Sequence, residues 1–120
     1  MREELDKGRI ETSRILQGQG KGLVAIVGPC ANHIERRIVN EGKQLAAIAT
    51  DDLVAIHRIP PFKPRTPVHG KPKPWAGLES TNPTAALSRM LWERRRGVHV
   101  AHEVATREHV IKYRDLSTFV

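Results

Sequence analysis

The sequence predicts an α/β fold built on a parallel sheet, and three observations carry that reading. Leu23–Val27 and Leu53–Ile56 are continuously apolar and give way abruptly to Gly28-Pro29 in one case and to His57-Arg58 in the other, as strands buried on both faces do. Between and after them lie longer stretches whose apolar residues recur at helical spacing among charges. Strands that alternate with helices imply strand-helix-strand crossovers, and such crossovers join parallel neighbours.

Taken in order, Glu3 to Leu16 sets Leu5, Ile10 and Ile15 among charges and stops at a Gly-rich turn (Gly18 to Gly22), which reads as a surface helix leading the chain over residues 1–20. Leu23–Val27 is the first strand. Glu35 to Ala49, with Ile38, Leu45 and Ile48, is an amphipathic helix covering one face of the sheet. Leu53–Ile56 is the second strand. Residues 84–96, preceded by Asn82-Pro83 as a start signal and carrying Leu87, Met90 and Leu91 on one side, form a second covering helix that Gly97 ends. Val98–Ala101 is a third strand, Thr106 caps a short helix through Tyr113, and Ser117–Val120 opens a fourth strand.

One stretch departs from this pattern. Residues 57–77 hold six of the eight prolines, five Lys or Arg, and no acid, so they read as a long Pro-rich basic active-site loop rather than a regular element. The chain as a whole has 120 residues, one cysteine, 39% hydrophobic residues and a net charge of +7. That length allows one domain over residues 1–120. No apolar run reaches the roughly 18 residues of a membrane span, and the charged start from Met1 to Lys7 is unlike a secretory signal, so the expectation is a cytoplasmic protein without a membrane partner. A lone cysteine cannot build a disulfide framework. The positive balance points to an anionic partner without saying which.

In a parallel α/β sheet the loops after the strands open on one side, and ligands gather there. Three polar clusters occupy that position. The first is Gly28-Pro-Cys30-Ala-Asn-His33; Cys30 reads either as a rim thiolate able to hold a divalent metal or as an ordinary buried small side chain, and His33 as a second ligand, a substrate contact or a helix cap. The second runs from Arg58 through Lys63, Pro64, Arg65 and Thr66 to Pro67. Prolines stiffen the backbone, so Arg58, Lys63 and Arg65 form a preset cationic array suited to phosphate or carboxylate, the alternative being a solvated basic linker. The third is His102-Glu103, where Glu103 orients a cationic neighbour or a water, or is a plain rim carboxylate. Arg94-Arg95-Arg96 reads as the basic last turn of a helix, Trp92 as core or helix packing, Trp75 as a residue folding the loop back onto the rim, and His57, His69, His99 and His109 as structural or surface residues.

Together, Gly28-Pro-Cys30-Ala-Asn-His33, Arg58 five residues before Lys63-Pro64-Arg65-Thr66, Trp75-Ala-Gly77-Leu78 and Ala101-His-Glu103 resemble the class I 3-deoxy-D-arabino-heptulosonate 7-phosphate (DAHP) synthases. The resemblance spans about residue 14 to the end. It implies a (β/α)8 TIM barrel of which this chain is the amino-terminal portion, an incomplete barrel of about three strand-helix units. It also implies the aldol-type condensation of phosphoenolpyruvate with erythrose 4-phosphate, the opening step of aromatic amino acid biosynthesis. Carried over residue by residue, Cys30 is a ligand of a divalent metal of the Mn2+, Co2+, Fe2+ or Zn2+ type and, with Lys63, a catalytic residue. Arg58 and Lys63 hold phosphoenolpyruvate, Pro64, Arg65 and Thr66 contact erythrose 4-phosphate, and Glu103 lies on the phosphoenolpyruvate and metal-water side.

Departures accompany the matches. Ala31 and Asn32 stand where the family has Ser and an aliphatic residue, Ile34 replaces an Asp, and Ile59-Pro-Pro-Phe62 replaces aromatic and acidic residues. The family's remaining metal and phosphate ligands belong to later strands, so the 120 residues alone are expected to be inactive, with homo-oligomerisation or association through an exposed barrel edge. Two other classes compete: a non-catalytic, phosphate-metabolite-binding or regulatory half-barrel, and a basic nucleic-acid-binding protein. The second is disfavoured because the cations interleave with prolines rather than with stacking aromatics.

Overall fold

A computed structural model describes residues 2–30, 34–60, 69, 82–104 and 106–119. Its elements follow in the order α1 (Arg2–Leu16), β1 (Leu23–Val27), α2 (Glu35–Ile48), β2 (Leu53–Arg58), α3 (Pro83–Arg94), β3 (His99–Ala101) and α4 (Arg107–Tyr113). The sheet is three-stranded in the order β1-β2-β3, every pair parallel, with Val27 beside His57 and Arg58 beside Ala101. Phe119 adds a parallel bridge to Ala101, which places the predicted fourth strand next to β3. Spatial order therefore follows chain order without reversal, as in a barrel wall and unlike a doubly wound sheet.

Helix caps match the start signals. Asn82 accepts a hydrogen bond from Ala85 N at 3.0 Å with Pro83 in the first turn, and Thr106 accepts one from His109 N at 3.4 Å. The covering helix ends at Arg94 rather than at residue 96, and Gly97 takes φ +73° just past it. The principal core joins Ile38 of α2, Ala86 and Met90 of α3, Val100 of β3, Tyr113 of α4, and Ile59 immediately after β2. A smaller cluster of Leu45, Ala55 and Val98 lies nearer the starts of the strands.

Two burial expectations change. In α1 the residues that go under are Leu5, Gly8 and Thr12, spaced by three and four, whereas Ile10 is exposed. Gly8 is what seats the helix: a Cβ there would overlap the His99 ring and press on Thr118, and Arg9 adds hydrogen bonds from Nε to Thr118 O (2.8 Å) and from Nη2 to Ser117 O (3.2 Å). In β1 the apolar run is exposed, with Leu23 at 71%, Ile26 at 64% and Val27 at 48%. The strand pairs on one edge only among the described residues, and its sequence is written for burial on both faces.

Candidate active site

The described members of the three predicted clusters, Gly28 to Cys30, Arg58, and His102-Glu103, lie at the carboxyl ends of the strands. Gly28 follows β1 with φ +156°, and a Cβ at that position would overlap Arg58 O and lie 3.0 Å from Arg58 Cβ. Only glycine lets the end of β1 close on the backbone of Arg58. Cys30, two residues on, is exposed at this rim, which removes the reading of it as a buried small side chain.

Arg58 is the last residue of β2, so the predicted loop of residues 57–77 gives its first two residues to the strand. Beyond it, Ile59 N donates to Ala101 O at 2.8 Å, and Ile59 and Pro60 are buried. Arg58 is thus flanked by paired strand on one side and by hydrogen-bonded, buried backbone on the other. Its Nη2 lies 3.2 Å from Glu103 Oε2, with the two side chains 35% and 42% exposed. Of the readings for Glu103, orienting a cationic neighbour is the one the geometry fits. At that exposure the pair contributes under about 1 kcal/mol to stability, so its significance is positional.

The His102-Glu103 cluster is divided. His102 turns inward, sharing a hydrogen bond with Ser117 Oγ at 2.5 Å and meeting the Tyr113 ring edge-on at 4.9 Å, while its backbone N donates to Phe119 O. His102 is therefore a core residue that fixes the turn from which Glu103 reaches the rim. His33, Lys63, Pro64, Arg65, Thr66 and Trp75 lie outside the described residues.

Among the described residues no group of three His, Cys, Asp or Glu side chains could hold a metal ion. Cys30 is a single exposed donor, so the described residues do not by themselves fit a divalent metal.

Several residues read as structural, surface or helix-end groups have partners that the sequence does not show. His57 is fully buried between two helices, its Nε2 3.3 Å from Glu41 Oε2 of α2 and its Nδ1 3.1 Å from Glu93 Oε1 of α3. The approach to Glu93 is close but poorly aligned for a hydrogen bond, and neither Glu93 oxygen has a hydrogen-bond partner among the described residues. Gly42 of α2 makes the room, since a Cβ there would overlap the Glu93 carboxylate. Arg94 is buried and donates from Nη1 to Asp115 O at 2.6 Å, and Arg96 stacks over Trp92 at 4.1 Å. His99 sits at the opposite end of β3 from the rim, 4.0 Å from Glu11 Oε2; burial lowers its pKa below the usual histidine value, opposed by Glu11 and assisted by Lys7.

Parallel strands in sequential order with helices packed on them are the architecture of part of a barrel-type α/β fold, and the Arg58–Glu103 pair stands where two adjacent strands end. The comparisons with known proteins show what the chain is similar to. The chain is 40% identical over 82 residues to the tyrosine-inhibited phospho-2-dehydro-3-deoxyheptonate aldolase of Candida albicans, an alignment covering 63% of this chain and 21% of that protein. Phospho-2-dehydro-3-deoxyheptonate aldolase is the DAHP synthase under its other name, so the similarity is to the family that the rim motifs resemble. The solved structure of the same enzyme from Francisella tularensis matches with a TM-score of 0.72 at 20% identity, over 96% of this chain and 36% of that one, and shows the fold. No family model matches the chain. The chain spans about a fifth of the length of the curated relative it resembles.

Proposed function

We propose that this chain is the phosphoenolpyruvate-binding part of a DAHP synthase, and that its rim serves the aldol-type condensation of phosphoenolpyruvate with erythrose 4-phosphate. The observation that carries the reading is the placement of Arg58 and Glu103, 3.2 Å apart at the ends of adjacent parallel strands, within a chain similar to that enzyme.

Arg58 presents a planar cation, anchored by the β2–β3 ladder, that can grip a carboxylate or phosphate through two parallel hydrogen bonds. Lys63 adds a point charge to the same substrate, and Pro64, Arg65 and Thr66 take the phosphorylated aldehyde. Glu103 aims Arg58 and lies on the phosphoenolpyruvate side. In the reaction a carbon-carbon bond forms between C3 of phosphoenolpyruvate and the aldehyde carbon, water adds at C2, and inorganic phosphate leaves. Holding two anions in register supplies much of the acceleration. Cys30 is one donor toward a divalent metal and acts as a ligand only together with donors other than the described ones. Association through the exposed β1 edge and a cytoplasmic location complete the reading; no described helix is long and apolar enough to cross a membrane.

Calorimetric titration of the chain with phosphoenolpyruvate, with Arg58→Ala beside it, tests the reading. Saturable binding weakened about tenfold or more by the substitution is expected, the usual effect of losing a charged hydrogen-bond partner. Binding unchanged in Arg58→Ala would overturn it. With both substrates and Mn2+, the 120 residues alone are expected to release no phosphate above a metal-free control.

A further inference from the structure

A cleft of about 570 Å³ lies at the other end of the sheet from Arg58, where β2 and β3 begin. One wall is α1 and the chain after it, with Lys7, Glu11, Arg14 and Lys21; the others are the turn from α2 into β2, with Asp51, and the turn into β3, with Arg96. Its floor is apolar, made by the cluster of Leu45, Ala55 and Val98. The volume is that of a small-molecule site.

Four cations face two carboxylates on this rim. Lys7 pairs with Glu11 at 3.7 Å, and Glu11 also faces His99. No carboxylate lies within ion-pair distance of Arg14, Lys21 or Arg96 among the described residues. Arg14 and Arg96 stand at the C-terminal ends of α1 and α3, where cations also offset the helix dipole. That role needs no cavity and no apolar floor. It accounts neither for the open volume between these residues nor for Lys21, which follows the helix by five residues.

We propose that this foot cleft is a binding site for a small organic anion, a carboxylate or phosphate carried on an apolar skeleton, its charge met by Arg14, Lys21 and Arg96 and its skeleton lying on Leu45, Ala55 and Val98. The site shares no residue with the rim at Arg58, so it stands or falls independently of the condensation reading. His99 reports on it: burial and Lys7 hold its imidazole below the ordinary value, and an anion in the cleft pushes the titration back up.

The experiment titrates the full chain with phenyl phosphate, benzoate and inorganic phosphate while following the His99 ring protons by NMR, with His99→Gln giving the assignment. Phenyl phosphate and benzoate are expected to shift His99 saturably, and inorganic phosphate to bind about tenfold more weakly because it covers none of the floor. The double variant Arg14→Gln/Arg96→Gln is expected to weaken both organic anions about tenfold or more, as is Ala46→Leu, which fills the cleft from a helix face without touching charge. Arg58→Ala is expected to leave the shift unchanged. Absence of a saturable shift, equal binding by inorganic phosphate, or binding indifferent to both cleft variants would each overturn the proposal.

Discussion

At the scale of single residues, Gly28 decides how closely the first two clusters approach. Its missing Cβ and its φ of +156° let the end of β1 pass against Arg58 O, so Gly28→Ala must push backbone from backbone rather than displace a flexible side chain. A loss of about 1–3 kcal/mol is expected from the strained conformation alone, and more from the overlap. Gly18→Ala is the matched control: φ is +68°, nothing lies within 4 Å, and only the conformational part is lost. Urea unfolding of both variants measures the difference, and equal losses would show that the contact with Arg58 costs nothing. The sequence marks Gly28 as a turn residue but not as the neighbour of Arg58, because that contact depends on the register pairing Val27 with His57. The Arg58–Glu103 pair is half legible for the same reason: each residue is placed at a strand end by its apolar run, and their meeting waits on the β2–β3 register.

At the scale of elements, α2, β2 and α3 are joined by His57, Glu41 and Glu93, and this cluster was not legible as a cluster. Its members lie on three elements, and its only local signals are a glycine in mid-helix and an acid at the position after Ala86 and Met90 on a buried stripe. Removing His57 or Glu93 alone takes from the other its buried polar neighbour at 3.1 Å. His57→Leu or Glu93→Leu alone is expected to cost about 3–5 kcal/mol, while the double substitution recovers most of the loss because an apolar pair needs no desolvated partner. A double-mutant cycle by denaturant unfolding measures it; additive losses would mean the residues do not act together. The docking of α1 has a different sensitivity. The folded state holds His99 below its ordinary value near 6.5, so the unfolded chain binds the proton more readily. The stabilisation is therefore full above that ordinary value and is lost as pH falls through the lowered folded value. Unfolding free energies measured downward from pH 7 should decline less steeply in His99→Gln than in the parent chain, and parallel curves would remove His99 from the account.

At the scale of the whole molecule, the fold class and element order were readable because each strand is an apolar run and each helix an apolar stripe, and neither depends on distant residues. The burial of β1 was not readable in the same way, because burial is a property of neighbours. Leu23, Ile26 and Val27 are written for a covered strand yet lie exposed, and β1 pairs only with β2 among the described residues. An unpaired parallel edge flanked by exposed apolar side chains is a template for association. The 120 residues by themselves should therefore sediment as dimers or larger species whose proportion rises with concentration. Ile26→Lys places a charge on the exposed surface without disturbing the described core, and should shift the population toward monomer while leaving the helical circular dichroism signal intact. A chain that is monomeric at all concentrations, or one whose association ignores Ile26→Lys, would mean that the edge is protected by something other than a partner and that the exposed run of β1 is not the contact.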